Sequence, residues 1–317
     1  MRAIAVVEPH MDDATLSVGG RILLLRGKAR ITIVSATRRS NYAQGTMHRD
    51  AARITATRLA ESARAAEILG ARHLSVEEND APLRFRPESD WPARGLERKL
   101  KRFAAFGPDD LNSLVKKLRE AIEPLAPEEI WIPLGVGPNL DHWRTRDACL
   151  SLGLDARLFA YEDVPYAARH REHAQHMGAL LGGRRETIDI APVLKDKIRA
   201  ATAYASQLPD PASDILAAGP EALWVLPPSV RMPPPHEAAP RWREIAKVRK
   251  KLAGLKRASL FTDEEDRGGE ARAALAAKFG KLGAMRGTIA TGTMRALPWA
   301  SVRTRYLGDV ALAARSL

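Results

Sequence analysis

Ala3-Ile4-Ala5-Val6-Val7, followed by Glu8-Pro9-His10-Met11-Asp12-Asp13, is the stretch on which the fold turns. Five apolar residues with β-branched character, opening a chain of alternating patterns, read as a buried strand. A helical pattern follows at Ala14–Leu25. Side chains carried from a strand end into a helix start lie outside the carboxyl ends of the strands, where open α/β sheets bind ligands. His10 and Asp13 are spaced to share one metal ion, which leaves Asp12 free as a general base. The plainer alternative is an aspartate helix cap beside an incidental histidine.

Working outward, the same alternation recurs through the first 206 residues. A second strand is expected at Ala29–Ser35, and a helix over Thr46–Leu69 that stops at Gly70. His73–Val76 reads as a short third strand. Residues 79–107 read as an irregular, Pro- and charge-rich excursion, and Pro108–Glu123 as a helix. Glu129–Pro133 is the fourth strand, Asp141–Leu152 a helix and Arg157–Tyr161 the fifth strand. Arg184–Ile190 is a candidate sixth strand, and Val193–Ser206 the last helix. Strand–helix alternation predicts a Rossmann-like, doubly wound and mostly parallel sheet flanked by helices.

The charge is unevenly placed. Residues 231–317 hold 18 Lys and Arg against 8 Asp and Glu, so +10 of the chain's formal +12 sits there. Residues 1–230 are expected to form the catalytic domain. Residues 231–317 would be a Pro-rich linker (227–240 is PPSVRMPPPHEAAP) and a basic C-terminal extension of unknown fold. Arg241–Arg257 could meet phosphates on a nucleic acid or an anionic membrane. It lacks any helix-turn-helix, zinc-finger or RNP pattern, which argues against nucleic acid. Trp242, Ile245, Val248 and Leu252 form a packing stripe instead, suited to docking on the catalytic domain or to a homo-oligomer contact. With one cysteine, Cys149, no internal disulfide and no thiolate-rich zinc site can form. Neither a signal peptide nor a membrane-spanning apolar run is legible, so a cytoplasmic protein without a transmembrane segment is expected.

The second constellation is Gly135-Val136-Gly137-Pro138-Asn139-Leu140-Asp141-His142, after the fourth strand and at the start of a helix. A lone histidine there is commonly structural. At the same sheet edge as His10, His142 would complete two histidines and one carboxylate, a set that catalytic zinc sites use with one position open for water.

These residues resemble the PIG-L/LmbE-like zinc N-deacetylases, which remove acetyl from N-acetylglucosaminyl groups. That family opens with a strand and His-Pro-Asp-Asp, similar to Pro9-His10-Met11-Asp12-Asp13 with Leu16 and Gly19-Gly20 behind it. Arg58 to Glu61 and Leu69-Gly70 resemble its Arg-x-x-Glu helix. Asp80 resembles an aspartate after the third strand, and Asn139-Leu140-Asp141-His142 resembles its His-x-Asp-His. Tyr161 through Tyr166, and Lys197 through Tyr204 to Gln207, are further landmarks. The resemblance spans about residues 3–226. It implies that His10, Asp13 and His142 bind Zn2+, that Asp12 is the general base, and that metal-bound water is the nucleophile. The substrate would be a small-molecule N-acetylated sugar conjugate, cleaved to amine and acetate. Other divalent transition metals suit the same ligands.

The departures carry consequences. Met11 stands for the usual proline and is expected to face away from the metal. Asn139 stands where the family often has a histidine acting as acid or oxyanion partner. Asn can donate a hydrogen bond but cannot deliver a proton, and losing a general acid costs on the order of 10²–10⁴-fold. Asp12 would then do both jobs, or His48 or His170 would supply the proton, or the chain would be slow, with Asp141 left to orient a neighbour. Asn139 also motivates the alternatives: a catalytically impaired or repurposed binding protein on this fold, or a phosphate-binding protein acting through its tail. Arg58 and Asp80 are candidate substrate contacts. Arg38, beside Arg39 after the second strand, suits an anionic substrate group, the alternative being an ordinary basic loop. Glu162 and Asp163 are candidates to orient a metal-bound histidine, or to serve a turn.

Overall fold

A computed structural model describes residues 1–43, 50–84, 108–137 and 139–231. The expectations for residues 44–49, 85–107 and 232–317, including His48 and the basic tail, lie outside the described residues.

Seven strands form one sheet in the order β3-β2-β1-β4-β5-β7-β6. They are β1 Arg2–Glu8, β2 Ala29–Ser35, β3 Arg72–Ser75, β4 Glu129–Pro133, β5 Arg157–Tyr161, β6 Arg184–Ile188 and β7 Glu221–Val225. The pairs β1–β2, β1–β4, β2–β3 and β4–β5 are parallel. β7 runs antiparallel to both β5 and β6. The helices are α1 Asp13–Leu24, α2 Ala51–Leu69, α3 Ala81–Arg84, α4 Pro108–Ile122, α5 Leu140–Leu150, α6 Tyr166–Arg169, α7 Arg171–Leu180, α8 Leu194–Ala201 and α9 Pro211–Ala218. The mostly parallel sheet flanked by helices agrees with the sequence reading. β7 and α9 were not foreseen, and the helix expected over Val193–Ser206 ends at Ala201, followed by turns.

β1 is buried from Ala3 onward because it is central, with a paired neighbour on each side. Its Ile4 and Val6 join Val18 and Ile22 of α1, Ile33 of β2, Leu69 of α2, Trp131 of β4 and Leu223 of β7 in the main core. A continuous apolar run is what a parallel strand covered on both faces requires. α2 ends at Gly70 in the left-handed conformation (φ 71°), the stop anticipated from the sequence. The glycine pair in α1 admits close neighbours: a Cβ on Gly20 would lie 2.6 Å from Ile190 Cγ2 and 2.9 Å from Glu221 Oε1. Glu221, at the start of β7, also forms a buried 2.7 Å ion pair with Lys197 of α8. That pair ties the unforeseen strand to the helix layer. Among the described residues, no helix is long and apolar enough to cross a membrane.

Candidate metal centre and active site

β1 and β4 lie side by side, and the chain leaves them in opposite directions across the sheet: β1 continues to β2, β4 to β5. That is a topological switch point, where the loops diverge and leave a crevice. His10 to Asp13 leave β1 there, and Gly135 to His142 leave β4.

One ligand atom from each of His10, Asp13 and His142 lies within 4.8 Å of the others. His142 is 1% exposed. Its Nδ1 is 2.6 Å from Asp163 Oδ1. A carboxylate acceptor requires a proton on Nδ1, so in the neutral ring Nε2 carries the lone pair; burial alone would lower the His142 pKa, but Asp13 and Asp163 raise it. Nε2 is buried, has no hydrogen-bond partner, and sits 3.4 Å from Asp13 Oδ1. A buried polar atom without a partner is costly, and a cation between Nε2 and the carboxylate would satisfy it. The donor set therefore fits a divalent metal. His10 faces carboxylates on both ring nitrogens: Nδ1 is 3.1 Å from Asp13 Oδ2, and Nε2 is 3.2 Å from Asp141 Oδ2. Burial alone would lower the pKa of His10, but these carboxylates raise it well above the ordinary value. Burial would likewise raise Asp13, yet His142 and His10 hold it below the usual carboxylate range.

Asp12 occupies the N-cap position of α1, but its side chain caps nothing. Glu8 takes the capping role instead, while Asp13 holds an amide of the preceding turn. Glu8 Oε2 accepts from Ala14 N at 2.9 Å, and Asp13 Oδ2 accepts from His10 N at 2.8 Å. The incidental-cap reading of Asp12 thus fails on geometry. Its carboxylate lies 3.6 Å from Arg58 Nη2 and keeps some solvent access. Burial raises its pKa, with Arg58 opposing. Glu8, which the sequence reading passed over, accepts from Ser35 Oγ at 2.6 Å and is pushed up to about 8 by burial.

Arg58 is 5% exposed rather than on a solvated face. Nη1 donates to Ser40 Oγ at 3.1 Å, and Nε is buried without a hydrogen-bond partner. Asp80 is buried and accepts from Leu83 N at 3.3 Å, where it opens α3; burial raises its pKa. Arg38 pairs instead with Glu77 at 2.6 Å, on the exposed surface. To meet an anionic ligand it would have to leave that pair. Asp141 accepts from Ala81 N at 2.8 Å and pairs with Arg84 Nη1 at 2.8 Å. Burial alone would raise it, but Arg84 and His10 hold it far below the usual carboxylate range. Met11 is buried, and its carbonyl accepts from Ser62 Oγ.

Asn139 is the N-cap of α5: its Oδ1 accepts from Asp141 N at 3.0 Å. Its Nδ2 faces the Tyr166 hydroxyl at 3.4 Å. The Tyr166 ring stands edge-on to His142, centroids 5.2 Å apart at 85°. Burial pushes its phenol up to about 12. His170 stands at the N-cap position of α7, without a side-chain cap hydrogen bond.

The loop before Asn139 is held from below. Asp163 Oδ2 accepts from Gly135 N (2.8 Å) and Val136 N (3.0 Å). His173 Nδ1 accepts from Gly137 N at 3.2 Å. Burial pushes His173 down to about 4, with Arg146, His170 and His176 adding to the effect. The folded state therefore prefers neutral His173, while the unfolded chain takes up the proton near 6.5. This contribution to stability is complete above pH 6.5 and is lost as the pH falls towards 4. A His173→Gln variant keeps an acceptor but has no proton to gain. Relative to it, wild type is expected to lose up to about 3 kcal/mol between pH 7 and 4. Urea unfolding of both chains across that range checks this, and parallel curves would refute it.

No curated protein matches this chain. Among solved structures, a deacetylase–teicoplanin complex from the teicoplanin biosynthesis pathway is 18% identical at a TM-score of 0.52, covering 71% of this chain and 98% of that one. A second deacetylase complex from the same pathway is 19% identical at a TM-score of 0.52, covering 71% and 97%. The zinc-inhibited form of teicoplanin deacetylase is 18% identical at 0.50, again covering 71% and 97%. At such identities the likeness establishes a shared fold. The family model described as PIG-L, GlcNAc-PI de-N-acetylase, matches residues 5–156, a span that holds both His10–Asp13 and Asn139–His142. Residues 5–156 thus carry a PIG-L family domain.

Proposed function

We propose that this chain is a metal-dependent N-deacetylase that hydrolyses the acetamide of an N-acetylglucosaminyl-type sugar conjugate to amine and acetate. The observation that carries this reading is the buried Nε2 of His142, without a hydrogen-bond partner and facing Asp13 at 3.4 Å. His10, Asp13 and His142 are the proposed ligands. A bound divalent metal would polarise the amide carbonyl and bring the pKa of the attacking water to about 7.

The chain's own residues do the rest. Asp12, uncommitted to capping and made more basic by burial, takes the proton from the water. It then passes that proton to the departing amine, as a positioned base turned acid can. Asp141 holds His10 in orientation, and Asp163 holds His142 with its lone pair inward. Arg58, whose Nη2 lies 3.6 Å from Asp12 and whose buried Nε has no hydrogen-bond partner, and Asp80 are the proposed contacts to sugar hydroxyls. Arg38 is proposed for an anionic group at the rim. The catalytic unit is proposed to span residues 1–230.

The test is metal content together with acetate release. The purified chain is incubated with zinc, iron, cobalt or nickel and offered N-acetylglucosamine conjugates. The zinc-inhibited form of teicoplanin deacetylase makes varying the metal and its concentration worthwhile. About one ion per chain and metal-dependent acetate are expected. Metal and sugar binding without acetate would instead favour a binding protein on this fold. No metal under any condition would sink the hydrolase reading.

A further inference from the structure

The deacetylase reading leaves one chemical need unmet: a side-chain donor for the negative charge that develops on the amide oxygen. Asn139 is poorly placed to serve. Its Oδ1 is spent on capping α5, and its Nδ2 is turned to the Tyr166 hydroxyl. That second contact has a directional consequence. With Asn139 donating, the phenol oxygen is the acceptor, so the phenol hydrogen points elsewhere. Among the described residues, no acceptor takes it.

We propose that Tyr166 is a catalytic residue whose hydroxyl donates a hydrogen bond to the oxyanion of the tetrahedral intermediate, with Asn139 fixing the direction of that hydrogen. The proposal rests on the deacetylase reading. Three observations support it. The Tyr166 ring leans edge-on against His142, a proposed metal ligand, which puts the phenol at the wall of the site. The residue is only partly buried, so a substrate can reach it. Space has been left for it: Gly137 has φ +82°, and a Cβ there would lie 2.9 Å from Tyr166 Cδ1. A side chain at 137 would push the ring away from His142.

The chemistry balances without any further reactant. Water adds to the carbonyl carbon, and its proton goes to Asp12. The C–N bond then breaks, and the amine leaves with the proton that Asp12 returns. The phenol keeps its own proton throughout and only donates a hydrogen bond. Such a donor strengthens its contact as charge develops, which is what lowers a barrier.

The test uses the full-length, zinc-loaded chain with methylphosphonate as a tetrahedral, anionic probe, beside acetate release from an N-acetylglucosamine conjugate. Tyr166→Phe is expected to bind zinc as wild type does, to bind methylphosphonate about tenfold more weakly, and to lose about 10²-fold in kcat with little change in KM. Asn139→Asp preserves an N-cap but replaces the Nδ2 donor with an acceptor, which turns the phenol hydrogen inward. It is expected to show the same losses with Tyr166 intact. Methylphosphonate binding equal to wild type in Tyr166→Phe would overturn the proposal, whatever the catalytic rates. No acetate from wild type under any metal would instead overturn the deacetylase reading, so the two failures read out separately.

Discussion

Asp12→Asn is expected to cut acetate release by about 10²–10⁴-fold while leaving metal content unchanged. Asn has nearly the shape of Asp, so the turn from β1 into α1 should survive. The side chain makes no cap hydrogen bond whose loss would unfold the helix start, because Glu8 and Asp13 hold the local backbone amides. It also lies outside the His10, Asp13 and His142 cluster. What disappears is a carboxylate that is not a proposed ligand and that no cap hydrogen bond engages, whereas Asp141 is held by Arg84 at 2.8 Å. Burial raises the pKa of Asp12 and so strengthens it as a base, while Arg58 at 3.6 Å keeps the ionised form accessible. Acetate release within a few-fold of wild type, at equal metal content, would assign the base elsewhere.

Asp163→Ala should be as damaging by a different route. Asp163 is fully buried and accepts from His142 Nδ1, Gly135 N and Val136 N. Its removal leaves three buried donors unsatisfied at about 1–3 kcal/mol each, so about 3 kcal/mol or more of stability should go. Metal affinity should fall about 10–100-fold as well, since nothing then fixes the His142 ring. Asp163→Asn separates the two effects. Its amide oxygen can still take the loop N–H groups, so much of the stability should return. Its NH2 would face Nδ1 and favour the tautomer with the proton on Nε2, which cannot ligate. Metal titration and urea unfolding of both variants check this. An Asp163→Asn chain with wild-type metal affinity would show that the carboxylate does not set the tautomer.

Much of the fold of residues 1–161 was legible in the sequence. β1, β2, β4 and β5 fall at the expected residues because a buried parallel strand writes a continuous apolar run. Gly70 ends α2 because the left-handed stop needs a residue without a Cβ penalty. The cluster of His10, Asp13 and His142 was legible because groups that leave the ends of neighbouring strands meet at one sheet edge. β7 was not. EALWV is short, and only its antiparallel place between β5 and β6 makes it a strand. Arg58 reads as a surface helix residue until Ser40 and Asp12 come round it. Tyr166 was noticed only as a landmark, since no local pattern ties a residue after β5 to the N-cap of α5.

By itself, then, the sequence determined the order of strands and helices and the residue types at the sheet's switch point. Both follow from periodicity and spacing, which are local properties of the chain. Tertiary structure decided which of those residues are free to act. Glu8 takes the α1 cap and releases Asp12. Asp163, 21 residues beyond His142, turns its lone pair inward. Arg84 locks Asp141, and Asn139 directs the Tyr166 hydroxyl. The physical reason is common to all four: a buried polar atom must find a partner, and which partner it finds depends on contacts between segments far apart in the chain.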